Sequence, residues 1–296
     1  MSWFNKAVST FIDKVPPSTI AIFAKRYIAG ETLDDAIRVT RKLNAEGAMA
    51  TIDVLGEFVS TRQETEYYRD MAISVLEEID RTGVDANLSL KLTQMGLKIS
   101  KQLCMDNVER ILKRAKELGN FVRIDMEDST CTTDTLQIYD TFREEYNVGT
   151  VLQAYMRRTI NDIQYLSDKP MNFRLCKGIY DEPRVIAYKD PVIINENYKY
   201  CLETLIKKKA YVGIATHDEK LVFHAQMLIR EYKLKRDDYE FQMLLGVDEE
   251  LRRIIIDAGH RLRVYVPFGK DWLPYSIRRL KENPNIIKSA MKGYLK

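Results

Sequence analysis

The stretch Leu262-Arg-Val-Tyr-Val-Pro-Phe-Gly-Lys-Asp-Trp-Leu-Pro-Tyr-Ser-Ile-Arg-Arg-Leu-Lys-Glu-Asn-Pro284 changes period halfway along. From Leu262 to Val266 aliphatic residues alternate with Arg263 and Tyr265, which is the period of a strand. Pro267 and Gly269 are expected to end it. Pro274 then opens a helix, where its fixed φ helps and its missing N–H costs little. Asn283-Pro284 closes that helix. Tyr275, Arg278, Arg279 and Glu282 fall at i, i+3, i+4 and i+7, on one helix face. Two adjacent guanidiniums beside a tyrosine, with a glutamate to hold them, make a fork for a carboxylate. The same spacing also describes a surface ion pair, worth about a few tenths of a kcal/mol. Spacing alone leaves both readings open.

The strand-then-helix unit recurs upstream. Short β-rich runs occur at Met49–Leu55, Asn87–Leu92, Phe121–Met126, Val148–Ala154, Phe173–Gly178, Tyr211–Thr216 and Tyr239–Leu244, and Arg263–Val266 is the eighth. Between them lie charged, periodic stretches that read as helices, including Met105–Leu118, Asp134–Tyr146, Glu196–Lys209 and Glu219–Tyr232. Strand–helix alternation implies a parallel sheet. Eight units in roughly 250 residues fit an α/β fold of the (β/α)8 barrel type. An open doubly wound sheet is the alternative, but no G-x-G-x-x-G or G-x-x-x-x-G-K-[ST] follows any of the runs. Residues 1–46 read as an amphipathic helical extension packed on a barrel of residues 47–296. Its second helix runs from an N-cap at Thr32 to just before Gly47.

The 296 residues carry a net charge of +3, too small a surplus to indicate a nucleic-acid partner. No apolar run is long enough to cross a bilayer, and the first residues lack a secretory pattern. Cys104, Cys131, Cys176 and Cys201 form no C-x-x-C pair, and reduced cytoplasmic thiols account for them. The three histidines have no metal-ligand spacing, so no metal site is expected.

In a barrel of this kind the chemistry sits at the C-terminal ends of the strands. The polar residues there are Lys91, Asp125, Gln153, Arg174, Lys177, Thr216, His217, Gln242 and Tyr265, with Leu244 among them. Burying such groups unpaired would cost about 2 kcal/mol or more each, so they should pair with one another or with a ligand around one mouth. Lys91, Arg174, Lys177, Arg278 and Arg279 call for an anionic ligand, a carboxylate or a phosphate. A Schiff-base lysine barrel remains an alternative, since Lys91 and Lys177 follow strands. Against it, Lys91 is expected to pair with Asp125.

The segments Arg174-Leu-Cys-Lys-Gly-Ile-Tyr180 and Tyr265-Val-Pro-Phe-Gly…Trp272-Leu-Pro-Tyr-Ser-Ile-Arg-Arg-Leu-Lys-Glu-Asn-Pro284 closely resemble the proline dehydrogenase family, over about residues 45 to 290. The length resembles its short monofunctional bacterial members. The resemblance implies a distorted (β/α)8 flavoenzyme that takes hydride from L-proline onto N5 of FAD. The product would be Δ1-pyrroline-5-carboxylate, the first step of proline degradation to glutamate, with a membrane quinone receiving the electrons. It further implies that Arg278 and Arg279 clamp the proline carboxylate, with Glu282 holding them and Lys91 as a third cation. Asp125 would order the site beside Lys91. Tyr265, Tyr275 and Leu244 would cover the proline ring, and the bulk of Tyr265 favours proline over hydroxyproline. On the cofactor side it places Arg174 near N5, Gln153 at the ring edge and Met126 along it. Lys177 with Gly178 and Ile179 would hold the pyrophosphate, and Thr216 and His217 the rest. The chain departs from the family pattern in having Cys176 where valine is common, Ile179 where alanine is and Phe268 where tyrosine is. A binding barrel that has lost turnover is the non-enzymatic alternative. The resemblance also implies a cytoplasmic protein that touches the inner face of the membrane transiently to reach its quinone.

Overall fold

The computed structural model describes residues 20, 26–56, 59–273 and 275–277. Its centre is a closed barrel of eight parallel strands, each hydrogen-bonded to its neighbours in sequence, with the last closing on the first. The elements run α1 (Leu33–Ala45), β1 (Met49–Val54), α2 (Arg62–Thr82), β2 (Ala86–Leu90), α3 (Lys101–Glu117), β3 (Val122–Ile124), α4 (Ser129–Phe142), β4 (Val148–Gln153), α5 (Thr159–Tyr165), β5 (Asn172–Cys176), α6 (Pro191–Lys207), β6 (Tyr211–Ala215), α7 (Glu219–Glu231), β7 (Tyr239–Leu244), α8 (Glu249–Asp257) and β8 (Leu262–Phe268). The (β/α)8 expectation holds, and the eight expected strands are the eight observed, with shifted ends.

Three helices begin earlier than charge periodicity suggests, at Lys101, Ser129 and Pro191 rather than Met105, Asp134 and Glu196. The cause is local. Ser100, Asp128 and Asp190 each accept a hydrogen bond from a backbone N–H of the first turn. Such a cap is worth about 1 kcal/mol and draws the helix back to itself. At α1, Thr32 and Asp35 form the reciprocal capping box, and the helix packs on β1 and β8.

Pro267 does not end the last strand; it lies inside β8, opposite Asp53 of β1. In a parallel ladder the N–H and C=O of one residue point to the same neighbour. Phe268 O accepts from Leu55 N on the β1 side, so Pro267 faces the other way. On that side β7 pairs only as far as Leu244 with Tyr265, so the missing N–H forfeits no ladder bond. Residues 272–273 and 275–277 are helical. The rest of the expected C-terminal helix, with Arg278, Arg279, Glu282 and its stop at Asn283-Pro284, lies outside the described residues. So do residues 1–19 and 21–25 of the expected helical extension.

The outward faces of the strands are apolar. Ile52, Leu88, Ile124, Phe173, Ile214, Phe241, Val264 and Val266 are almost fully buried under the helices. The inward faces are polar. Thr51 donates to Asn87, Arg123 reaches Thr150 O and the Asn172 side chain, and Arg263 meets Glu240. Gly149 makes room for this layer, since a Cβ there would lie 2.3 Å from the Arg123 guanidinium. The barrel axis therefore holds paired charges instead of aliphatic layers, consistent with the polar strands read in the sequence.

Candidate active site

A cavity of about 400 Å³ opens at the C-terminal ends of the strands. It is lined by Lys91, Asp125, Met126, Gln153, Arg174, Lys177, Gly178, Ile179, Thr216, His217, Leu244, Tyr265 and Tyr275. Every expected site residue that the structure describes is thus brought to one place. The three it does not describe are Arg278, Arg279 and Glu282.

Asp125 sits just past β3 at the centre of the charges. One carboxylate oxygen accepts from Arg174 at 2.6 Å and from Ser89 at 2.7 Å, and the other from the Tyr265 hydroxyl at 2.8 Å. Burial alone would push the Asp125 carboxyl up, but Arg174 and Lys91 outweigh it and hold it below the usual range. The Arg174 guanidinium lies over the Tyr265 ring, 5.4 Å from its centroid. Burial, with Asp125 and Asp53 beside it, raises the Tyr265 phenol well above its ordinary value, so it stays a hydrogen-bond donor.

Lys91 has the expected Asp125 beside it, and a nearer partner that the sequence did not single out. Its ammonium lies 3.8 Å from Asp125 but donates to both oxygens of Asp53, at 2.8 and 2.9 Å. Asp53 comes from β1, directly across the closing seam from β8, and its side chain is fully buried. Arg174 holds one Asp125 oxygen and Tyr265 donates to the other, so the nearest contacts of Lys91 are those to Asp53. Burial by itself lowers the Lys91 pKa; Asp53 and Asp125 reverse this and raise it. A lysine kept charged in this way is a poor Schiff-base nucleophile. Asp53 was legible in one respect: in Thr51-Ile-Asp53 it shares the inward face with Thr51 at period two.

Across the mouth Lys177 donates to Asp218 at 2.7 Å, and Asn195 Nδ2 donates to the same Asp218 oxygen. Burial works against the Asp218 carboxylate, but Lys177 and Asn195 more than offset it. The Asn195 Oδ1 is buried and finds no hydrogen-bond partner among the described residues, so a donor belongs beside it. Gly178 has a left-handed φ of 106°, and a Cβ there would lie 2.1 Å from the Tyr155 ring. Backbone, ammonium and orphaned oxygen together suit the close approach of a polyanionic tail bearing hydroxyls. The remaining wall combines Met126 and Ile179 with polar groups that already have fixed partners. Gln153 donates to Glu127 O, and His217 Nε2 accepts from Leu244 N. This suits a flat, mostly apolar ring with polar edges. Gly178→Ala is expected to weaken retention of such a ligand by tenfold or so through backbone strain and clash. Equilibrium dialysis of the variant against the wild type would show it.

The proline dehydrogenase family profile matches residues 36–291. Proline dehydrogenase 1 of Bacillus subtilis (strain 168) is 35% identical over 274 residues, covering 92% of this chain and 91% of that one. Proline dehydrogenase of Deinococcus radiodurans is 33% identical over 304 residues, covering 99% and 98%. Among solved structures, proline utilization A (PutA) from Bdellovibrio bacteriovorus inactivated by N-propargylglycine aligns with a TM-score of 0.83 at 25% identity. That alignment takes in 88% of this chain and only 32% of the solved one, so the chain spans about a third of that protein. With the barrel, the strand-end cations and these similarities in agreement, the chain belongs to the proline dehydrogenase family.

Proposed function

We propose that the chain oxidises L-proline to Δ1-pyrroline-5-carboxylate, with FAD as its resident cofactor and a membrane quinone as the final electron acceptor. The observation that carries this reading is the convergence of Lys91, Arg174, Tyr265 and Tyr275 on one cavity in a chain of this family. Met126, Gln153, Arg174, Lys177, Gly178, Ile179, Thr216 and His217 would hold the FAD, which supplies the hydride acceptor when bound.

The protein's own residues position and exclude. Lys91, with Arg278 and Arg279, would bind the proline carboxylate and so fix which ring carbon faces the cofactor. Tyr265, Tyr275 and Leu244 would cover the ring and keep water out. Asp125 ties Arg174 and Tyr265 together and holds the cation in place for developing negative charge. Glu282 would hold the clamp arginines. No described helix is long and apolar enough to cross a membrane.

An absorption spectrum before and after anaerobic addition of L-proline tests the reading. A flavin band near ~450 nm that bleaches is expected. A flavin that proline leaves oxidised would refute the substrate, and a protein unable to take up FAD would refute the cofactor. Hydride leaves more readily from the neutral amine than from the ammonium. Turnover should therefore rise from ~pH 6 to ~pH 9, and a flat profile would contradict the assignment.

A further inference from the structure

We propose that Gln242 is a positioning residue for the reaction, oriented from below by the buried Glu240–Arg263 pair and holding the Arg174 guanidinium from above. The inference rests on the proposed flavin reaction at this cavity.

The chain of contacts runs up the inside of the barrel. Arg263 Nε donates to Glu240 Oε1 at 2.8 Å, and Tyr211 donates to Oε2 at 2.8 Å. Gln242 Nε2 donates to Glu240 Oε1 at 2.5 Å, and Gln242 Oε1 accepts from Arg174 Nε at 2.5 Å. Arg174 Nη1 then donates to Asp125 Oδ1. Glu240 and Gln242 are two residues apart on β7 and share the inward face, one layer above the other.

Chemistry fixes the amide in one of its two orientations. A guanidinium can only donate and a carboxylate can only accept. An amide wedged between them must turn its NH2 to Glu240 and its oxygen to Arg174. That requires Glu240 to be ionised. Burial opposes this, but Arg263 and the hydrogen bonds from Gln242 and Tyr211 outweigh burial and keep its pKa low. A neutral residue at 240 would remove the constraint and allow an NH2 to face the arginine.

The neighbouring strand is cut to fit the amide. Gly213 of β6 pairs with Glu240, and a Cβ at 213 would lie 2.5 Å from Gln242 Nε2 and 2.8 Å from its Cδ. The glycine thus leaves the space the amide occupies. Arg174 is consequently held on two sides, by Asp125 and by Gln242, and its remaining freedom is small. A cation at the cavity wall acts on transition-state charge only if it need not reorganise.

The test uses the FAD-loaded full chain with Gln242→Met, which keeps length and loses both amide groups, and Gly213→Ala, which pushes the amide with one methyl. For each, kcat and KM for L-proline, the flavin midpoint potential and the melting temperature are measured. Gln242→Met should lower kcat about tenfold or more while KM moves less than about threefold, because the carboxylate clamp is untouched. The midpoint potential should fall, since a displaced Arg174 stabilises reduced, anionic flavin less; a tenfold weaker reduction equilibrium corresponds to ~30 mV for two electrons. Gly213→Ala should move both readouts in the same direction. Folded Gln242→Met with wild-type kcat and potential would overturn the inference. If Gln242→Met does not fold, an unchanged kcat and potential in Gly213→Ala would do so. A wild-type protein without a proline-reducible flavin would instead overturn the functional reading, and this inference with it.

Discussion

Replacing Arg263 by methionine should destabilise the protein by about 3–5 kcal/mol at neutral pH, and by clearly less near ~pH 5. Arg263 donates to Glu240 and to Ala50 O, and both side chains of the pair are buried at the barrel axis. Methionine fills much of the stem volume but leaves the Glu240 carboxylate without its cation. In the wild type the folded pKa of Glu240 is depressed. It therefore contributes stability above the unfolded carboxylate range, lost only as pH falls through the folded value. In the variant burial dominates and the folded pKa rises above the unfolded one. The folded variant then takes up a proton more readily than the unfolded chain, and its stability improves as pH falls. The gap to wild type should narrow in urea titrations run from ~pH 8 to ~pH 5. An Arg263→Met/Glu240→Met double variant should recover part of the loss, because neither charge of the pair is left unpaired, although Gln242 and Tyr211 lose their acceptor. A loss independent of pH, or a double variant no more stable than the single, would show that packing rather than charge is responsible.

The barrel was legible because strand–helix alternation is written in two periods, and eight repetitions leave few topologies open. The strand-end positions followed from the same register: Lys91, Asp125, Gln153, Arg174 and Tyr265 were placed at the mouth by where their strands stop, and they meet there. Pairing was only partly legible. Lys91 does lie 3.8 Å from Asp125, but the short ion pairs are Asp125 with Arg174 at 2.6 Å and Lys91 with Asp53. Which carboxylate faces which cation depends on barrel closure, which brings β1 beside β8 across about 210 residues of chain. The role of Gln242 was hidden for the same reason, since an amide between two strand-end residues looks like any polar strand position until Arg174 and Glu240 are seen on either side. Helices α3, α4 and α6 start before their periodic stretches do, because one capping side chain sets each first turn. Pro267 misled because its meaning in a strand depends on which neighbour its nitrogen faces.

Lys91→Met should raise the KM for L-proline about 10–100-fold and destabilise the fold by about 3–5 kcal/mol, and the two effects have separable causes. The first is loss of a charged hydrogen bond to the substrate carboxylate. In the structure the ammonium also donates to the Tyr265 hydroxyl at 3.3 Å, a neutral acceptor that a substrate carboxylate could replace. The second is the stranding of Asp53, whose side chain is wholly buried. Burial already pushes the Asp53 carboxyl up, with Asp125 acting in the same sense and Lys91 offsetting part of it. Without Lys91 the rise grows, so the stability lost in the single variant should shrink as pH falls toward the ordinary carboxylate range. Adding Asp53→Asn removes the stranded charge. The double variant should therefore regain stability in chemical denaturation while its KM stays high. If the double variant regained proline affinity together with stability, Lys91 would be a structural counter-ion for Asp53 and no part of the carboxylate clamp. If neither returned, the asparagine would itself be unpaired, and Asp53→Leu/Lys91→Met would repeat the test with an apolar pair. Retained affinity in the Lys91→Met single variant would leave substrate recognition entirely to Arg278 and Arg279, at the end of the segment from which the fold was first read.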